Sequence, residues 1–310
     1  SLTVQEADLD VAPTAEDSAT ETLNFVEGSD PFASFAFNGT VGSITGDYDD
    51  ATISWSVSLD GQTLSGTVAG ESSPSIVLEL ESADLDNGTV DVKATISDEF
   101  KHDAPPSGTD ADNNTFTVTG VEVIATDIDS KTATGYADVT VVDDVPTVNI
   151  VPVASDPDSV AEDAAAPISG DWTFDYGEDD TAAAKVEIYI DGNEGTLYDV
   201  DEAITVNNGV DDLGVLTVKS DNTWTFDPSE GVNQSDANAD DFDFTIRVTD
   251  ADGDVAEDTH NVEVTDGAAP TGDQVSLTVQ EADLDIAPTD EDSATETLNF
   301  VEGSDPFASF

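Results

Sequence analysis

Residues 242–264 read FDFTIRVTDADGDVAEDTHNVEV. From Phe242 to Val248 apolar side chains alternate with Asp, Thr and Arg, and from His260 to Val264 the alternation returns. Period two is the mark of a half-buried strand, because successive side chains leave a strand on opposite faces. Between the two runs stands Asp252-Gly253, a turn signal. The stretch therefore reads as two antiparallel strands joined by a turn that carries Asp250, Asp252 and Asp254.

The same grammar runs through the rest of the chain. Strand patterns occupy 52–59, 75–80, 115–119, 121–125, 137–142, 185–190, 214–218 and 223–226. Asp60-Gly61, Asn87-Gly88, Asp191-Gly192 and Asn208-Gly209 punctuate them. No helical periodicity extends beyond a short stretch; Glu16 to Leu23 is the one segment compatible with a turn of helix. Many short strands at this spacing predict an all-β chain of antiparallel β-sandwiches, each of about 100–150 residues.

Composition narrows the function. The chain has 310 residues, 70 Asp+Glu against 6 Lys+Arg, a formal charge of -64, and no Cys. Nucleic acid and anionic membrane would repel it, and six scattered cations build no basic patch. No apolar run reaches the roughly 18 residues of a membrane span, so no direct membrane insertion is expected. Without cysteine there is no disulfide framework, thiolate chemistry or thiolate metal site. Such a charge must be offset by molar salt or by bound divalent ions, or the chain must be disordered. A 37% hydrophobic fraction in alternating patterns argues against disorder.

The chain also repeats itself. Residues 1–35 and 276–310 differ only at Val11/Ile286 and Ala15/Asp290. One full unit is thus followed by the opening of the next, as in a tandem array. The chain opens at Ser1 without Met, which reads as an internal portion of something longer. A strand, acids and a proline mark a boundary at Asp143-Asp-Val-Pro146, and again at 265–272. Matching phrases follow each start: Val4-Gln-Glu6, Val160-Ala-Glu162 and Val279-Gln-Glu281. The predicted domains are 1–145, 146–269 with a long lead-in at 147–159, and a truncated opening at 270–310.

The carboxylates carry whatever chemistry is present. Asp250, Asp252 and Asp254 alternate around a glycine turn and can converge oxygens on one cation. Hard oxygen donors select Ca2+, which takes six to eight of them. An EF-hand is excluded, because Val255 and Asn261 stand where its glycine and glutamate belong. Asp127 and Asp129 form a shorter parallel phrase beside Lys131. At the predicted junctions Glu6, Glu162 and Glu281, with Asp143, Asp144, Asp163, Asp266, Asp273 and Asp283, could let one ion clamp two domains. The alternative for each is a solvated acidic turn or linker. His102 and His260 have no evident partner, and no Gly-x-Ser-x-Gly elbow exists, so no catalytic set is expected. Trp55, Trp172 and Trp224 sit inside strand patterns and read as core rather than as a sugar-stacking strip.

The phrase from Gly214 to Phe226, followed by Phe244 to Asp254, resembles the cadherin-like and VCBS-type repeats of giant bacterial adhesins. Residues 1–145, with Ala125-Thr-Asp127 and Val142-Asp-Asp-Val-Pro146, look like the related extender domains of RTX adhesins exported by type I secretion. The resemblance implies tandem Ig-like/cadherin-like antiparallel β-sandwiches strung end to end, Ca2+ at or near the junctions, and a bacterial cell-surface or extracellular setting. Two departures stand out: 1–145 lacks the full Asp-x-Asp-Gly-Asp, and the two domains differ from one another. The expected function is a non-catalytic, Ca2+-stiffened spacer in a long adhesin or fibre. Its partners would be neighbouring repeats of the same chain and possibly identical chains in a fibre. Two other readings stand beside it. One is a filament subunit that assembles by strand addition through the repeated segment. The other is a carbohydrate-binding module, which would need exposed tryptophans.

Overall fold

The computed structural model describes the chain outside residues 10–16, 47, 49–51, 99, 101, 103–113, 154–157, 179–183, 235–239, 280–293, 308 and 310. Two compact units form. The first is Ser1–Val148 with Phe174–Val186 and Arg247–Glu257; the second is Asn149–Thr173, Glu187–Ile246 and Asp258–Phe310.

In the first unit β1 (Leu2–Gln5) runs into a 3-10 turn (Glu6–Asp8), followed by β2 (Asp17–Asn24), β3 (Phe32–Phe37), β4 (Ile44–Gly46), β5 (Ile53–Val57), β6 (Thr63–Val68), β7 (Ile76–Asp84), β8 (Thr89–Ile96), β9 (Thr115–Asp127) and β10 (Thr132–Val142). They make two five-stranded sheets, β1-β10-β9-β3 with β4 also on β9, and β2-β8-β7-β6-β5. β1 runs parallel to β10, with Leu2 opposite Val139 and Val4 opposite Val141. The other pairings are antiparallel.

The alternation does what it should. Val90, Val92, Ala94 and Ile96 of β8 are fully buried, as are Phe116, Val118, Val121, Val123 and Ala125 of β9. Phe-sized side chains buried this way each stabilise by about 1.5–3 kcal/mol. The phase changes between Val118 and Val121, where the β9–β10 register shifts. Gly120 takes φ 65 there, and its N–H donates to the Asp138 carboxylate at 2.8 Å. That bulge explains why the sequence reads two strands, 115–119 and 121–125, where the structure has one. Where Glu16 to Leu23 is compatible in sequence with a turn of helix, the described residues Asp17–Asn24 form β2 instead, paired along its length with β8.

The remaining strands are β11 (Thr147–Val151), β12 (Asp158–Ala161), β13 (Ile168–Asp175), β14 (Lys185–Ile190), β15 (Tyr198–Asp199), β16 (Ile204–Asn207), β17 (Asp212–Val218), β18 (Thr223–Pro228), β19 (Asp241–Thr249), β20 (Val255–Thr265), β21 (Thr271–Gly272) and β22 (Phe300–Val301). Two more five-stranded sheets result, β11-β13-β18-β17-β16 and β12-β20-β19-β14-β15. Again a first strand runs parallel to a last one, β12 to β20, with Val160 opposite Val264. Within the lead-in at 147–159, the strand expected to begin at Thr147 is β11, the edge of the sheet β11-β13-β18-β17-β16. Asp191-Gly192 takes φ 50 and 69, the left-handed pair that an Asp-Gly turn favours.

Trp224 lies at the centre of the second unit, 5.2 Å from the Phe244 ring and 5.4 Å from the His260 ring. Trp172 is equally buried, and its indole N–H donates to the Lys219 carbonyl at 3.3 Å. Trp55 is partly buried against the core of the first unit. Two of the three tryptophans are thus core residues and the third is partly so.

Candidate metal centre

Among the described residues, six carboxylates of the first unit are buried: Glu6, Asp143, Asp144, Asp250, Asp252 and Asp254. Each arrives from a strand end. Glu6 follows β1, Asp143 and Asp144 follow β10, and the three aspartates fill the turn between β19 and β20.

The turn is folded by Asp250. One of its carboxylate oxygens accepts the N–H groups of Gly253 at 2.9 Å and Asp254 at 2.8 Å. Gly253 needs its φ of 113 for that closure. The other Asp250 oxygen and both oxygens of Asp252 are buried and meet no donor. Burial, and then the neighbouring Asp252, push the Asp250 carboxyl up to about 8. Asp144 uses one oxygen to accept the Glu178 N–H at 2.6 Å, while its second is buried without a donor. Its carboxyl too is raised, by burial and then by the charges of Asp252 and Asp175. Gly177 permits this approach: a Cβ there would lie 1.8 Å from the Asp144 carboxylate.

Glu6 closes the other side. Its oxygens accept the Phe100 N–H at 2.6 Å and face His102 Nε2 at 3.1 Å. His102 Nε2 lies 3.8 Å from Asp143. Glu6 is raised chiefly by burial and also by the Asp144 charge, while His102 and Phe100 pull the other way. The residues are thus electrostatically linked, Glu6 to Asp144, Asp144 to Asp252, and Asp252 to Asp250. Buried carboxylates coupled in this way are relieved by taking up protons or a cation. Donor-less oxygens of hard character fit Ca2+.

A second, smaller set lies in the second unit. Oxygens of Glu162, Asp266 and Asp305 fall within 4.8 Å of one another. Glu162 is buried and its oxygens accept the N–H groups of Val232 at 2.7 Å and Gly267 at 3.4 Å. Glu162 is therefore the counterpart of Glu6, and Val232 of Phe100.

The structure sets Glu6 and Asp143 about His102, couples Glu6, Asp144, Asp252 and Asp250 by charge with Asp254 buried in the same turn, and groups Glu162 with Asp266 elsewhere. It leaves Asp127 and Asp129 apart, on an exposed turn where one Asp127 oxygen accepts the N–H groups of Asp129 at 2.9 Å and Lys131 at 2.8 Å. Asp163 accepts the Ala268 N–H at 3.1 Å, and Asp273 is exposed. Glu281 and Asp283 lie outside the described residues. Sequence reasoning missed Glu178, Gly177, Asp305 and both histidine partners. His102 meets Glu6, and His260 meets Asp158 at 3.1 Å. Asp305 had a signal, since it sits in the repeated Glu-Gly-Ser-Asp-Pro phrase; the histidine pairs had none.

No protein-family model matches the chain, and no curated protein matches it by sequence. Solved structures similar to it include protocadherin gamma B2 extracellular cadherin domains 3-6, at 15% identity, TM-score 0.27, covering 70% of this chain and 46% of that one. Mouse protocadherin-24 EC1-3 aligns at 13% identity and TM-score 0.26, over 71% of this chain and 72% of that one. A fragment of three immunoglobulin domains of titin aligns at 10% identity and TM-score 0.23, over 88% of each chain. This chain thus spans less than half of the protocadherin gamma B2 structure. At scores this low the assignment of an all-β sandwich fold rests on the strand pairing itself.

Proposed function

We propose that the chain is a non-catalytic structural repeat of a long extracellular or cell-surface adhesin or fibre, a spacer stiffened by Ca2+. In this reading 1–145 and 146–269 are sandwich modules and 270–310 opens a further one. The observation that carries it is the set of six buried carboxylates, whose oxygens on Asp144, Asp250 and Asp252 lack donors. An ion there binds the folded chain and not the unfolded one, so its binding free energy adds to stability. The ligands come from β1, from the Asp143–Asp144 segment after β10 and from the β19–β20 turn, so one ion would join chain segments far apart in sequence. Without it these segments repel; with it they hold one another. Burial of Trp172 and Trp224, with Trp55 partly buried, weighs against a carbohydrate-binding module.

Calorimetric titration with Ca2+ tests the reading. Tight binding, weakened at least about tenfold by Asp252→Asn, is the expected result. Absence of heat and of any melting shift on adding Ca2+ would refute it.

A further inference from the structure

Glu6, His102 and Asp143 form a group of their own at one corner of the carboxylate centre. One ligand atom from each lies within 4.8 Å of the other two, and all three residues are buried. All three belong to the continuous segment Ser1–Val148. Strand register explains how the two acids meet. β1 runs parallel to β10 with Gln5 opposite Val142, so the next residue of each strand, Glu6 and Asp143, emerges at the same end. His102 comes from the connection between β8 and β9.

The local bonds aim these groups at one point. One Glu6 oxygen accepts the Phe100 N–H at 2.6 Å, which holds the carboxylate and leaves the other oxygen facing His102 Nε2 at 3.1 Å. The Asp143 N–H donates to the Asn114 carbonyl at 2.9 Å, and an Asp143 carboxylate oxygen lies 3.8 Å from the same His102 nitrogen. The imidazole packs on Phe116, ring centres 5.4 Å apart. His102 Nδ1 is buried and meets no hydrogen-bond partner among the described residues. No donor there competes for its lone pair, so the ring proton can move to Nδ1 and leave Nε2 to a metal.

A nitrogen donor changes which ion is suited. Ca2+ takes oxygen ligands, six to eight of them. Imidazole together with carboxylate suits Zn2+ and its first-row neighbours. Ligands at about 2.0–2.1 Å in a tetrahedron stand roughly 3.3–3.5 Å apart. The contacts of Nε2 with the two carboxylates, 3.1 and 3.8 Å, bracket that spacing. Two ionised carboxylates and a neutral imidazole also balance one divalent ion. We propose that Glu6, His102 and Asp143 form a separate site for a divalent transition-metal ion of the Zn2+ type, beside the oxygen-only set of Asp144, Asp250 and Asp252. An ion there would tie the ends of β1 and β10 to the β8–β9 connection. The proposal goes beyond the calcium reading and does not rest on it.

The test uses this chain without Ca2+, in millimolar Mg2+ to occupy exposed carboxylates, with Zn2+ as the probe. Calorimetry should show Zn2+ binding that His102→Gln weakens at least about tenfold and that Asp252→Asn, which weakens Ca2+, leaves within about threefold. Because His102→Gln alters a buried residue, the unsubstituted chain supplies a second reading. Its two histidines are told apart by their neighbours, Phe116 for His102 and Trp224 for His260. In the imidazole nitrogen-15 spectrum, Zn2+ should shift the His102 Nε2 signal and leave His260 in place. Zn2+ binding indifferent to His102→Gln, or a His102 ring that does not respond to Zn2+, overturns the proposal. Ca2+ is titrated separately, so a chain that binds Ca2+ but not Zn2+ refutes this site alone, and the converse refutes the calcium reading alone.

Discussion

Stability of the first unit should depend on pH in opposite senses with and without Ca2+. Asp250 is pushed from the ordinary 3.8 to about 8, first by burial and then by Asp252. The folded chain therefore keeps a proton that the unfolded chain has already lost anywhere above pH ~4. Unfolding releases that proton, so without metal stability falls as pH rises between about 4 and 8. Glu6 and Asp144, also raised, act in the same direction. A shift of about four units at 1.36 kcal/mol each gives a ceiling near 6 kcal/mol, and sharing the charge among coupled groups reduces it to about 2–4 kcal/mol. For a unit of this size that is a fall of roughly 5–15 °C in melting temperature from pH ~5 to pH ~8 in chelator. With Ca2+ the ion takes the place of the protons and binds more tightly as pH rises, so the fall should vanish or reverse. Scanning calorimetry at several pH values in both buffers checks this. Equal stability at pH ~5 and pH ~8 in chelator would refute the buried, proton-holding cluster.

Other substitutions probe single contacts. Asp252→Asn removes a buried charge that has no donor, so it should stabilise the chain by about 1–3 kcal/mol in chelator and destabilise it in Ca2+; melting curves in the two buffers give the sign. Gly177→Ala places a methyl on Asp144 at a residue with φ 74, and should cost at least about 2 kcal/mol and weaken Ca2+ binding, as titration and urea denaturation would show. Trp224→Ala empties the space between Phe244 and His260, and should cost about 3–5 kcal/mol alike in both buffers; a buffer-dependent loss would tie that core to the ion.

Most of the fold was readable because half-buried strands write their burial into every second residue. The patterns at 185–190, 223–226 and 242–248 lie within β14, β18 and β19. β2 was obscured, since its burial pattern is mostly exposed and intermediate and few of its residues needed to be apolar. The 115–125 region was split because Gly120 shifts the phase without ending the strand. At the candidate centre the aspartates could be named because they cluster locally around turns. Glu178 and His102 could not. Their partners Asp144 and Glu6 lie 34 and 96 residues away, and only the closed sandwich brings them together. Asp127-Ile-Asp129 looks in sequence like Asp250-Ala-Asp252, yet its first carboxylate is spent on its own turn in the open. Burial separates the two phrases, and burial is a property of the whole fold.

The central claim is that bound Ca2+ turns an acidic, self-repelling chain into a stiff spacer. Small-angle scattering of this chain in Ca2+, in Mg2+ and in chelator, at ~0.15 M monovalent salt, tests it most directly, because a site-bound ion is not displaced by that screening. The account expects a narrow distribution of dimensions in Ca2+ and a broader one, shorter on average, in chelator. Curves that superimpose in all three buffers would contradict it and would leave the acidic surface as an adaptation to high salt.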